Sequence, residues 1–143
     1  MLSGSAPDVV VGGHAGALPE ATVRAAVHHV LRRERCTARV AVTFVGKGVM
    51  RRLNAAYLSH DRATDVIAFP LKQPDGSLAG DIYICRYAAA RNARSHRTPV
   101  RTELLRLVVH GALHVLGFDH PGGEARTRSA MWRAQERHLA ALR

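Results

Sequence analysis

Aromatic side chains are scarce in this chain, with one Trp, three Tyr and three Phe among 143 residues. They are not interleaved with Arg along the sequence, so little stacking of rings on a ligand is expected. Cysteine is nearly absent. Cys36 and Cys85 are the only two and lie far apart, which excludes a disulfide framework and a thiolate metal cluster. Structural thiols in a reducing cytoplasm are expected instead. No apolar run approaches the roughly 18 residues needed to span a bilayer, so no membrane association is expected. The first residues, Met-Leu-Ser-Gly-Ser-Ala-Pro-Asp, lack a basic start followed by an apolar stretch, and predict no signal peptide. Repeats, linkers and low-complexity tracts are also missing, which predicts one domain over residues 1–143.

Acidic residues are outnumbered by basic ones, 11 against 21, for a formal net charge of +10. Lys47 and Lys72 are the only lysines, and the other 19 basic residues are Arg. A surplus of this sign draws a protein to polyanions and favours nucleic acid over an acidic partner. A basic surface that merely solvates the protein is the alternative.

Apolar spacing predicts a mixed order of helices and strands. Asp8–Val11 reads as a short edge strand. Pro19 and Glu20 open a helix, with Val23, Val27, Val30 and Leu31 on one stripe to about Arg35. Val40–Val45 is β-branched and reads as a strand. A short helix follows with Met50, Leu53 and Tyr57 at helical spacing. Val66–Phe69, stopped by Pro70, and Asp81–Cys85 flank the turn Pro74-Asp75-Gly76-Ser77, which suggests an antiparallel hairpin. Arg86–Arg97 reads as a basic helix. After Pro99 comes a helix with Leu104, Leu105, Val108, Val109, Ala112, Val115 and Leu116 turned inward. A last helix holds Met131, Trp132, Leu139 and Leu142. The expected class is α+β, a small mixed sheet packed with helices.

The densest chemistry lies in His110-Gly-Ala-Leu-His114-Val-Leu-Gly-Phe-Asp-His120. Residues four apart leave one helix face together, so His110 and His114 project side by side. Gly117 lets the chain leave the helix at low steric cost, and His120 follows within reach of the same point. Three neutral imidazoles with no fourth protein ligand nearby form the ligand set of a catalytic zinc site. The site therefore falls on a helix of the C-terminal half and the loop after it. Metalloproteases of the H-E-x-x-H type carry a Glu general base after the first His. Gly111 stands there, which argues against ordinary peptide hydrolysis. Asp119 is placed to orient an imidazole or to serve the turn.

Together with this motif, Leu53-Asn54-Ala55-Ala56-Tyr57, Asp61-Arg62-Ala63-Thr64-Asp65-Val66-Ile67-Ala68-Phe69-Pro70 and Gly80-Asp81-Ile82-Tyr83-Ile84-Cys85 resemble the bacterial YbeY family, in order and spacing, from about Val40 onward. The resemblance implies a zinc-dependent endoribonuclease for single-stranded RNA, acting in ribosomal RNA maturation, mainly of the small subunit, and in ribosome quality control. It implies a cytoplasmic enzyme that works with the small subunit and assembly factors. His110, His114 and His120 match the family's zinc ligands. The family pattern places an Arg, assigned to catalysis, directly after the tyrosine. Here that position is Leu58, and Ala63 replaces a customary Pro. Arg62, four residues further along, is the candidate substitute.

Two other functions fit the same residues. One is a ribosome-assembly binding protein with structural zinc and vestigial activity. The other is a zinc hydrolase of peptides or small molecules. For an endoribonuclease, water and the RNA 2′-hydroxyl are both available nucleophiles. Arg86, Arg91, Arg94, Arg97 and the pair Arg51-Arg52 are candidates to hold the RNA backbone. Such contacts give affinity without sequence information, and leave specificity to the ribosomal context. Binding to single-stranded RNA is predicted to weaken steeply between about 50 and 200 mM salt, as read by fluorescence anisotropy. An affinity that stays flat over that range contradicts an electrostatic footprint.

Overall fold

The computed structural model describes residues 9–13, 16–58, 64–119, 125 and 128–142. In chain order these form β1 (Val9–Gly12), α1 (Glu20–Arg33), β2 (Ala38–Val45), α2 (Lys47–Leu58), β3 (Val66–Lys72), β4 (Leu78–Cys85), α3 (Arg86–His96), α4 (Val100–Val115) and α5 (Ala130–Leu142). Four strands make one sheet in the order β1-β2-β4-β3. β1, β2 and β4 run parallel, and β3 pairs antiparallel with β4. The class is α+β, as expected. No helix among the described residues is long and apolar enough to cross a membrane.

Alternation along the strands sorts the sheet into two faces. Val40, Val42 and Phe44 of β2 and Ile82 and Ile84 of β4 enter the main core with Val23, Val27 and Val30 of α1 and Leu104, Val108 and Leu113 of α4. The other face carries a smaller cluster, in which Val45, Ile67 and Cys85 meet Met50 of α2 and Ala88 of α3. Tyr57 does not join Met50 in burial as its helical spacing predicts, and is 67% exposed. It sits at the far end of α2, in a T-shaped contact with Phe69 of the edge strand β3.

The strand boundaries differ from expectation at one instructive point. Pro70 does not stop β3, which continues to Lys72, opposite a β4 that begins at Leu78. β3 is an edge strand, and a proline is tolerated where its missing N–H would face outward. The turn between the strands closes with Gly76 N–H donating to the Gln73 carbonyl at 2.9 Å and Ser77 N–H donating to Asp75 Oδ1 at 2.9 Å. The expected first strand is β1, whose described part starts at Val9. α1 ends at Arg33, two residues before the expected Arg35.

α4 is the central helix. It is buried on most of its circumference and packs on α1, α3, α5 and the sheet. Its approach to the sheet depends on two missing side chains. A Cβ on Gly111 would stand 2.5 Å from Ile82 Cγ2, and one on Gly80 would stand 2.4 Å from Val115 Cγ2. Each glycine admits the other element's side chain into the space its own would fill. Gly111→Ala overpacks this contact and is expected to destabilise the fold by about 1–3 kcal/mol, measured by urea unfolding. Unchanged stability would mean that α4 has room to lift from β4.

Candidate metal centre and adjoining cavity

The i,i+4 spacing does what the helical period requires. His110 and His114 lie half-buried on one face of α4, with ring centroids 4.6 Å apart and ring planes at 79°. The last turn of α4 then sets up the second imidazole. Gly117 takes φ 102°, the left-handed conformation that glycine adopts without strain. Its N–H donates to the His114 carbonyl at 2.9 Å, and Phe118 N–H donates to the Leu113 carbonyl at 3.0 Å. This paired closure is a Schellman cap. It returns the Phe118 carbonyl to His114 Nδ1 at 3.0 Å.

His110 is held from another helix. Its Nδ1 lies 2.6 Å from Gln135 Oε1 on α5. Gln135 is almost fully buried, and its Nε2 donates to Glu136 Oε2 at 3.0 Å. The amide oxygen therefore faces the imidazole. Glu136 also takes Arg106 Nε at 3.0 Å, and Arg106 Nη1 donates to Glu103 Oε2 at 2.8 Å. Burial works against the Arg106 charge, but the hydrogen bonds and charges of Glu136 and Glu103 outweigh it and raise its pKa above the ordinary value. The chain from Glu103 to Gln135 is thus a fully paired polar network between α4 and α5.

Both acceptors, a side-chain amide oxygen and a backbone carbonyl, can only accept. Each imidazole must carry its proton on Nδ1, which places the lone pair on Nε2. That tautomer is the one a metal ion requires, and an outer acceptor that fixes it is the usual companion of a ligating His. The two described histidines therefore fit the zinc predicted from their spacing. Among the described residues no group of three His, Cys, Asp or Glu converges on one point. His120, the third expected ligand, lies outside the described residues, as does Arg62. Leu58 closes α2. Asp119 is exposed after the cap, and the Nδ1 partners of the two described imidazoles are Gln135 and Phe118.

Gln135 and its network were not anticipated from the sequence. One signal pointed to it. Met131, Gln135, His138 and Leu139 share the buried stripe of α5, and a buried Gln needs partners. Gly111 also has a plainer explanation than a lost catalytic base. It faces Ile82 in the core, where a glutamate has no space. Of the Arg residues expected to hold a backbone, Arg51, Arg52, Arg91, Arg94 and Arg97 are exposed. Arg86 is committed elsewhere and donates to the Gly13 carbonyl at 2.9 Å. Folding also brings a cation from α2 to a ring on α3. Lys47 Nζ lies 4.6 Å from the Tyr87 ring centroid, and Arg91 lies over the same ring.

A cavity of about 550 Å³ opens beside His110 and Gln135, with Asp65, Asn92, Thr98, Arg106 and Trp132 in its walls. It lies where β3, α3, α4 and α5 meet. Its volume is that of a small-ligand site.

A mixed sheet under a central helix, with an imidazole pair and a cleft alongside, is an α+β architecture with a candidate site. The comparisons narrow this. A family model described as Endoribonuclease YbeY matches residues 15–143. The chain is 39% identical to the Endoribonuclease YbeY of Alkalilimnicola ehrlichii over 140 residues, covering 93% of this chain and 83% of that protein. It is 34% identical to that of Chloroherpeton thalassium over 126 residues, with 87% of each covered. The solution structure of a Thermotoga maritima protein superposes with a TM-score of 0.65 at 26% identity, covering 94% of this chain and 88% of that one. The chain belongs to the YbeY endoribonuclease family.

Removing the amide that orients His110 tests the network. Gln135→Met is expected to lower zinc affinity about 10- to 100-fold, while Gln135→Glu, which keeps the acceptor for His110 but sets a second carboxylate against Glu136, is expected to fall between Met and wild type. Competition against a chromophoric chelator reads both. Equal affinity in all three proteins would separate Gln135 from the imidazole's role.

Proposed function

We propose that this protein is a zinc-dependent endoribonuclease that cuts single-stranded ribosomal RNA during small-subunit maturation and ribosome quality control in the cytoplasm. Its partners in this reading are the small subunit and its assembly factors. The observation that carries the reading is the imidazole pair whose Nδ1 atoms are both tied to acceptors, at 2.6 and 3.0 Å, beside an open cavity. His110, His114 and His120 are the proposed ligands. Zinc bound there supplies Lewis acidity for phosphodiester cleavage.

The remaining work falls to the chain itself. Gln135 and the Phe118 carbonyl keep the two rings in the ligating tautomer. Exposed Arg residues on α2 and α3 hold phosphates and give affinity that is independent of sequence. A preorganised cation near the scissile group would stabilise charge that grows on the phosphoryl oxygens only in the transition state. The family places an Arg at position 58 for this purpose. Here Leu58 stands there, and Arg62 is the proposed substitute.

That leucine also favours a second reading, an assembly factor whose zinc is structural and whose cleavage is vestigial. A peptidase is disfavoured, because the residue after His110 faces the core and has no room for a general base.

Elemental analysis and single-stranded RNA turnover separate these readings. Wild type should carry close to one zinc per chain, and His114→Ala should lose both metal and cleavage. Leu58→Arg should raise turnover, by up to about 100- to 1,000-fold if one donor of this kind is restored, without altering zinc content. If Arg62 already fills the role, Leu58→Arg does little and Arg62→Ala abolishes cleavage. Stoichiometric zinc in the His114→Ala protein would overturn the ligand assignment. Zinc-loaded wild type that binds RNA but never cleaves it would establish the assembly-factor reading.

A further inference from the structure

We propose that the cavity beside His110 is a subsite for one unstacked nucleobase, and that it prefers a base carrying an exocyclic amino group. The proposal rests on the endoribonuclease reading and adds to it a source of sequence preference within the chain. The cavity's volume of about 550 Å³ gives room for a single nucleotide taken out of a stack.

The character of the walls argues for a base rather than a phosphate. Two carboxylates, Asp65 and Glu103, line the cavity with Arg106. The Arg106 charge is already matched by Glu103 and Glu136. His96, which is exposed, and His110 complete the ionisable groups of the described lining. Away from the His110 end, a phosphate would face Asp65 with little cationic compensation. A neutral base would not. Trp132 supplies an aromatic wall, and every base has a π-face to set against one.

The polar groups show a pattern as well. Asp65 is pinned at the start of β3, where its carbonyl accepts Cys85 N–H at 2.9 Å. Asn92 Nδ2 donates to Asp65 Oδ2 at 3.1 Å. This bond orients the carboxylate and uses one of its two oxygens. Thr98 Oγ1 is buried without a hydrogen-bond partner among the described residues. The hydroxyl is closed off from the cavity, which Thr98 meets through its other atoms. The acceptors left to a ligand include a carboxylate oxygen of Asp65 and the Asn92 Oδ1. Adenine, cytosine and guanine present an amino donor to such acceptors. Uracil presents only its ring N–H between two carbonyls.

Trp132 is the chain's single tryptophan, so emission excited where tyrosine does not absorb comes from this cavity wall. The zinc-loaded protein is titrated with the 5′-monophosphates of adenosine, cytidine, guanosine and uridine, and with ribose 5-phosphate. None of these has an internal phosphodiester to cleave. Amino-bearing nucleotides should quench Trp132 at concentrations roughly tenfold lower than UMP, the scale of one well-made carboxylate–amine pair. Ribose 5-phosphate, which can engage only the metal end of the cavity, should quench less than any amino-bearing nucleotide. Asp65→Asn should erase the preference over UMP. The wild-type ranking is decisive even if a variant fails to fold. Equal quenching by ribose 5-phosphate, or UMP ranking with the others, overturns the proposal. No quenching by any nucleotide in a protein that still cleaves single-stranded RNA also overturns it, and leaves the endoribonuclease intact. Loss of cleavage itself counts against the reading beneath it.

Discussion

The close approach of α4 to β4 is the constraint on which the rest of the structure depends. Gly111 gives its side-chain space to Ile82, and Gly80 gives its own to Val115. With the helix pressed onto the strand, the face beside that contact is set where α5 and the start of β3 meet it. That face carries His110 and His114. Interiors are packed densely enough that a single methyl at either glycine moves a whole element. The site's position is therefore set by a contact that contains none of its chemistry.

Chemical poise comes from two unrelated devices. One is local: the cap at the end of α4 closes through Gly117 and delivers the Phe118 carbonyl to His114. The other is tertiary, since Gln135 reaches His110 from α5, 25 residues away. A network of Arg106 between two carboxylates backs the second device. Such a network is favourable only when every member is paired, and here Glu103, Arg106, Glu136 and Gln135 all are. The same network gives one wall of the cavity. Ring orientation and cleft shape thus share one set of side chains.

The molecule's charge is organised differently. Exposed Arg residues are spread over α1, α2, α3 and α5 and the segments beside them, whereas the cavity holds two carboxylates and a single Arg. Phosphates and bases are thereby offered separate surfaces, the first for affinity and the second for discrimination. Sequence alone suggested few rings for stacking. The fold concentrates those few, with Tyr87 between Lys47 and Arg91, and Trp132 in the cavity wall.

What the sequence determined by itself is whatever depends on short-range periodicity. The stripe of α1, the Gly117 exit from α4, the hairpin turn at Asp75 and the pairing of His110 with His114 all lie within a few residues and follow from helical or strand geometry. The family motif is legible for the same reason, because its residues are close in the chain. Tertiary structure alone decided the rest. It placed β4 between β2 and β3, carried β3 through Pro70 because that strand lies at the edge, and turned Gly111 toward Ile82. It also brought Gln135 to His110 and Asp65 to Asn92. The last three of these contacts join residues 25 or more positions apart, and their geometry is settled only when whole helices and strands exclude water against one another.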